Sequence, residues 1–324
     1  MTSSRPSVLA LTRSGPLRLF DTTELLRLPP PTWLVQDILP TGGLVGLYGQ
    51  PRAAKSFLAI DLALCVATGH AWHGHVVQPD CFVLYVSAEG GTGIGKRVQA
   101  WLSSHEVSAS TPQMAWLTQS IPVSSTSDDM DVLFRRLDSE VERNPALVII
   151  DTLARCLEGD ENLQEDMGRF IAGVDRLRRE FNATVVVVHH TRLDAERERG
   201  STAFRGAADT MILSVRHNET DVTFSCNKQK DAKEFDAIEF KLRVVPVTIA
   251  GLADTTCLME SAYLGAKTAI LARLQVEPCS FNDFLRSHVH IPKTSLRRAL
   301  LALRETGEIT KENGIYRLVR GQEK

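Results

Sequence analysis

The 324-residue sequence predicts an α/β fold, a doubly wound and mainly parallel sheet followed by a small helical domain. Three observations predict it. Continuous β-branched runs, ALVIID at 146–151 and TVVVVHH at 184–190, have the composition of strands buried on both faces of a parallel sheet. Between them Met167, Phe170, Ile171, Val174 and Leu177 recur at helical spacing, as a crossover helix requires. The stretch GQPRAAKS at 49–56 lies directly between an apolar strand and a helical segment.

The elements follow in order. Residues 1–30 are polar and end in a proline run, which reads as an N-terminal arm. An α/β domain is expected over 31–250. It opens on the strand LVGLYG and the helix SFLAIDLALCVATG, then a second strand, CFVLYVSAEG, and a helix over 97–104. TMILSVRH and DVTFSCNKQK are close enough to form an antiparallel pair. Residues 251–265 read as a linker, and 266–320 change character. Ile270, Leu271 and Leu274 mark one short helix, and Ser280 caps a second carrying Phe284 and Leu285. Leu296, Leu300 and Leu303 mark a third helix, stopped by Gly307. EITKENGIYRLV then alternates about Asn313-Gly314, a two-residue hairpin signal. Three helices and a hairpin predict a winged helix-turn-helix domain.

Composition narrows the function classes. Hydrophobic residues at 43% and charged residues at 23% argue against disorder and for a globular chain. A net charge of −2 predicts no general affinity for nucleic acid, but the charge is uneven. From Ala266 onward there are 11 Lys or Arg against 6 Asp or Glu, and before it 26 against 33. A basic tail on an acidic body suits a polyanion-binding module. The six cysteines form no C-x-x-C pair, and Cys65, Cys81 and Cys156 read as buried small hydrophobes. No apolar run approaches membrane-spanning length and no secretory leader is evident, so a cytoplasmic setting without membrane contact is expected.

The chemistry concentrates where strands end. A loop of pattern G-x-x-x-x-G-K-[S/T] between strand and helix presents backbone N–H groups and a helix N-terminus to phosphates. Gly49, Gln50, Pro51, Arg52, Ala53, Ala54, Lys55, Ser56 and Phe57 are therefore the expected nucleotide-binding residues. Lys55 reaches the β- and γ-phosphates, and Ser56 ligates Mg²⁺. Ala54 stands where the second glycine belongs; a Cβ there is tolerable if φ stays negative. Asp151 ends an apolar strand and would hold a Mg²⁺-bound water. Glu89 ends another and can polarise the attacking water. Of His189 and His190, alternation points only one at the crevice, and His190 is taken as the γ-phosphate sensor. The loop TRLDAERERGSTAFRGAAD offers Arg197, Arg199 and Arg205 for DNA phosphates, although a solvated charged loop has the same composition. Lys228 and Lys230 lie at i and i+2 of a strand end and can act on the γ-phosphate of an adjacent subunit, although an ordinary basic strand end has the same composition. Lys293, Arg297 and Arg298 flank the third helix of the tail, where they can meet DNA or a neighbouring subunit.

Together, WLVQDILPTGGLVGLYG, PRAAKSFLAIDLALCVATG, VLYVSAEGG, LVIIDT, VVVVHHT, GSTAFRGAADT and KQKD resemble the RepA-like hexameric ATPases of the RecA/DnaB superfamily. The resemblance implies a RecA-like P-loop NTPase core that uses ATP and Mg²⁺ at the interfaces of a homo-oligomeric, hexameric ring. It also implies Glu89 as the catalytic carboxylate and Lys228 and Lys230 as the pair acting in trans. The expected function is a DNA-dependent ATPase working on single-stranded DNA, a replicative helicase of phage, plasmid or mobile-element type, with duplex DNA a partner for the winged helix. A recombination or loading ATPase and an ATP-gated winged-helix regulator are the alternatives.

Overall fold

The structure, a computed structural model, describes residues 19–88, 91, 93–141, 143–190, 202–249, 251–287 and 293–319. An exposed turn, α1 (Thr22–Leu25), closed by a reciprocal Asp21–Glu24 capping box, precedes a ribbon of β1 (Trp33–Val35) and β2 (Leu39–Pro40). The alternation then begins with β3 (Leu44–Gly49), α2 (Lys55–Thr68), β4 (Phe82–Ser87), α3 (Ile94–Ser104) and β5 (Met114–Leu117). It continues through α4 (Asp128–Arg136), β6 (Pro145–Asp151), α5 (Leu153–Cys156), α6 (Gln164–Phe181), β7 (Thr184–His190) and α7 (Thr202–Ala207). Four strands follow, β8 (Thr210–Arg216), β9 (Asp221–Gln229), β10 (Ile238–Ile249) and β11 (Leu252–Ser261). The C-terminal part holds α8 (Ala262–Val276), β12 (Cys279–Ser280), α9 (Phe281–Ser287), α10 (Lys293–Glu305), β13 (Ile309–Glu312) and β14 (Ile315–Leu318).

Nine strands form one mixed sheet in the order β11-β10-β9-β8-β3-β7-β6-β4-β5. Neighbours from β8 to β5 are parallel, whereas β8–β9, β9–β10 and β10–β11 are antiparallel. The change follows connection length: helices carry the parallel crossovers, and short turns join the antiparallel strands. Side chains of the central strands alternate between two cores. Leu147, Ile149, Val186 and Val188 pack with α2, while Val148, Ile150, Val185 and Val187 pack with α6. Each such side chain contributes about 1.5–3 kcal/mol by leaving water. Every residue of α2 from Leu58 to Ala67 is buried, so this helix is central rather than amphipathic. Its one buried carboxylate, Asp61, accepts from the indoles of Trp72 and Trp101, each at 2.9 Å, and lies 2.7 Å from His73 Nε2. Cys65, Cys81 and Cys156 are buried, and burial pushes the Cys156 thiol up to about 11.

Residues 251–265 are not a linker. Strand β11 pairs with β10 from Phe240↔Ser261 to Ile249↔Leu252, and α8 follows it directly. Its Thr-rich first half is exposed on a sheet edge, which removes the apolar alternation that marks half-buried strands. Beyond it, Ile270, Leu274, Phe284, Leu296, Leu300 and Leu303 form a separate core with Ile309 and Tyr316 of the hairpin. Asn313 and Gly314 both have positive φ, the geometry of a tight hairpin turn. Ser280 and Asp283 cap α9 reciprocally. This unit touches the sheet: Ser295 Oγ lies 2.6 Å from Glu239 Oε2, and Arg298 donates to the Ala237 carbonyl at 2.9 Å.

Candidate functional site

Parallel strands bring their C-terminal ends to one edge, and register places the polar residues side by side. Gly49 of β3 is opposite His190 of β7, and Ser87 of β4 is opposite Asp151 of β6. The 49–56 loop leaves this edge. Gly49 cannot carry a side chain, because a Cβ would sit 2.2 Å from the Ser214 carbonyl of β8. Ser214 Oγ donates to the Ala53 carbonyl and ties the loop to that strand. Arg52 and Ala54 both adopt left-handed φ, +67° and +62°. Ala54 therefore does not keep the negative φ under which its Cβ would be readily tolerated. The turn that feeds α2 needs the left-handed region that glycine enters freely, and alanine pays about 1 kcal/mol to be there.

Lys55 is buried and its ammonium turns back onto the loop. Nζ donates to the carbonyls of Gly49 at 3.0 Å and Gln50 at 2.8 Å, and lies 3.1 Å from His190 Nδ1. An ammonium only donates, so Nδ1 accepts. His189 faces the opposite core, where its ring approaches Phe204. Ser56 and Phe57 lie in the first turn of α2, whose N–H groups have no partners within the helix and whose dipole favours an anion. The Arg97 guanidinium of α3 lies over the Phe57 ring at 4.2 Å. Beside the loop is a cavity of about 530 Å³ between Gln50–Ala53 and the 213–218 end of β8.

Asp151 is buried at the end of β6, and Tyr85 Oη donates to its Oδ2 at 2.7 Å. Burial, then the Asp151 charge, pushes the Tyr85 phenol well above its ordinary value, so it remains a proton donor. The Asp151 carbonyl accepts from Ala88 N–H at 2.8 Å, which anchors the chain just before Glu89. Glu89 itself lies outside the described residues, as do Arg197 and Arg199.

The basic candidates are dispersed. Arg205, in α7, donates to the Asn227 carbonyl at 3.0 Å. Strand β9 ends at Gln229, so Lys230 lies just beyond the strand that carries Lys228. Lys228 donates to the carbonyls of Arg205, Gly206 and Ala208, terminating α7. Lys230 is exposed, 3.8 Å from Asp209. Because β9 runs antiparallel to β8, both lysines lie at the edge opposite Lys55: Lys228 pairs with Met211, which pairs with Gly46 near the start of β3. Lys293 and Arg297 are exposed on α10, whereas Arg298 is engaged with Ala237.

Tyr85, Ser214 and Arg97 were not anticipated from sequence. Tyr85 left one signal, as the sole polar side chain in the apolar run FVLYV, four residues before Glu89. Among the described residues no cluster of three His, Cys, Asp or Glu could hold a metal. One carboxylate and one hydroxyl beside a phosphate site nonetheless fit Mg²⁺, which takes one or two carboxylates and completes its shell with phosphate oxygens and water. Among the described residues no helix is long and apolar enough to cross a membrane.

The AAA domain family model matches residues 12–196. No curated protein matches the chain. Among solved structures it is similar to the crystal structure of the RadB recombinase, at 16% identity, covering 63% of this chain and 89% of that chain with a TM-score of 0.47. The family match spans more than half of the sequence and takes in the phosphate loop, the Asp151 strand and the His190 strand, and the chain accordingly belongs to the AAA domain family of P-loop ATPases.

Proposed function

We propose that the chain is a DNA-dependent ATPase that assembles as a homo-oligomeric ring, hexameric by resemblance, and works as a replicative helicase on single-stranded DNA. The observation that carries this reading is the division of labour between the sheet edges. Lys55 and His190 meet at one edge, where the Asp151 strand also ends, and Lys228 and Lys230 lie at the other, out of reach of their own phosphate loop. A second copy is then the natural recipient of Lys230.

ATP would enter with its phosphates on the first turn of α2 and its base towards the cavity beside Gln50–Ala53. Lys55 exchanges the Gly49 and Gln50 carbonyls for phosphate oxygens, a gain because a charged acceptor binds an ammonium more strongly. His190, in contact with Lys55 and directly before the 191–201 segment, registers that exchange. Mg²⁺ held by Ser56 and Asp151 would neutralise charge on the β- and γ-phosphates. Glu89 orients the attacking water, and Lys230 of an adjacent subunit stabilises the charge that develops. Arg197 and Arg199, in the sequence that follows His190, would contact the single strand. The C-terminal unit is read as a winged helix whose exposed Lys293 and Arg297 meet duplex DNA. Arg298 serves instead to dock the unit on the sheet.

Steady-state ATP hydrolysis with and without single-stranded DNA at fixed low salt, with Lys55→Ala as blank, tests the reading. Strong stimulation is expected, and an unwinding assay then separates a helicase from a recombination or loading ATPase. Hydrolysis indifferent to DNA would overturn the motor. The docking of α10 on β10 would then favour an ATP-gated regulator.

A further inference from the structure

We propose that Tyr85 is a positioning residue that sets the orientation of the Asp151 carboxylate and thereby the affinity of the site for its divalent cation. The inference rests on the reading of Asp151 as the metal-side carboxylate. Strands β4 and β6 are parallel neighbours, with Tyr85 opposite Ile149 and Ser87 opposite Asp151. Tyr85 belongs to the same core as Leu147, Ile149 and α2, so its ring lies on the face of the sheet that carries the phosphate loop and its helix. From there it reaches forward along the face to Asp151 Oδ2, at 2.7 Å. The ring is wholly buried and rests against Trp116 of β5, with centroids 5.0 Å apart.

A carboxylate at a strand end can rotate about its Cβ–Cγ bond, and Mg²⁺ demands near-ideal octahedral geometry. A rigid phenol donor fixes that rotation before the cation arrives. Partners that orient metal-side groups in this way are worth about 10–100-fold in affinity.

The test uses the full chain with Mn²⁺ and a non-hydrolysable ATP analogue, reading free Mn²⁺ by electron paramagnetic resonance. Tyr85→Phe, which keeps the ring and its packing, is expected to weaken Mn²⁺ binding about 10-fold. Its affinity for the analogue in EDTA and its unfolding midpoint should stay close to wild type. Asp151→Asn is run alongside. If it weakens Mn²⁺ binding while Tyr85→Phe stays within twofold of wild type, the positioning role is wrong and the role of Asp151 survives. If Asp151→Asn has no effect, the metal-side reading fails and the inference falls with it. Should Tyr85→Phe not fold, the double variant Tyr85→Phe/Asp151→Asn is compared with Asp151→Asn alone. Equal Mn²⁺ affinity supports action through Asp151, and a further loss overturns it.

Discussion

The two edges of the central sheet both gather buried or half-buried charge, but they hold it differently. At the C-terminal edge Lys55 is gripped by two backbone carbonyls and an imidazole. At the opposite edge Asp209 accepts from the Leu44 amide at 2.9 Å and from Arg178 at 3.0 Å, and Arg178 also donates to the Gly42 carbonyl and Asp175. Neutral acceptors can be given up when a phosphate arrives, because a charged acceptor replaces them. An ion pair tied into the backbone cannot be given up without leaving a charge unpaired. Buried charge is thus built for exchange at one edge and for permanence at the other.

Paired substitutions would break this contrast most sharply. Lys55→Ala should lower ATP hydrolysis by about 10³-fold while leaving unfolding nearly unchanged. Asp209→Ala should do the reverse, costing about 2 kcal/mol in urea unfolding through the abandoned Arg178 and Leu44 N–H, with turnover by the folded fraction retained. An Asp209 variant that folds well but cannot hydrolyse ATP would erase the distinction. A smaller effect concerns the lysine that is exposed rather than committed to the far edge. Lys230→Ala should spare nucleotide binding and slow hydrolysis about 10²-fold. Mixing it with Glu89→Ala should restore part of the rate; no recovery in mixed assemblies would count against action in trans. Smallest is the strain stored in the loop itself. Ala54→Gly removes a left-handed alanine at the cost of a more flexible unfolded chain, a net gain of about 0.5–1 kcal/mol. A lower unfolding midpoint in that variant would mean the surrounding fold favours the alanine.

Much of the core was legible because its signals are local. Val185–Val188 could only be a strand buried on both faces, and Asn313-Gly314 could only turn a hairpin tightly. The two-residue period of a strand says that only one of His189 and His190 faces the crevice, and it is His190 that lies beside Lys55. Strand β11 was illegible for the opposite reason: its polar edge residues pair through backbone groups that no side-chain pattern reports. The grouping of Lys228 with Lys230 assumed a strand running through both, but β9 ends at Gln229, and Lys228 turns to the carbonyls that end α7 while Lys230 lies near Asp209.

What the sequence by itself determined is the alternation of strands and helices through the parallel core and the identity of the phosphate loop, since periodicity and a strand–loop–helix context act over a few residues. Only the tertiary structure decided which residues became partners. Tyr85 meets Asp151 across 66 positions, Ser214 meets Ala53 across 161, and Lys55 meets His190 across 135. The same holds for Ala54, whose left-handed backbone is imposed by the turn between β3 and α2 against the preference of its own side chain. Local preferences cost or yield about 1 kcal/mol per residue, whereas packing both faces of a nine-stranded sheet sums many times that, so the sheet decides where the polar groups finally stand.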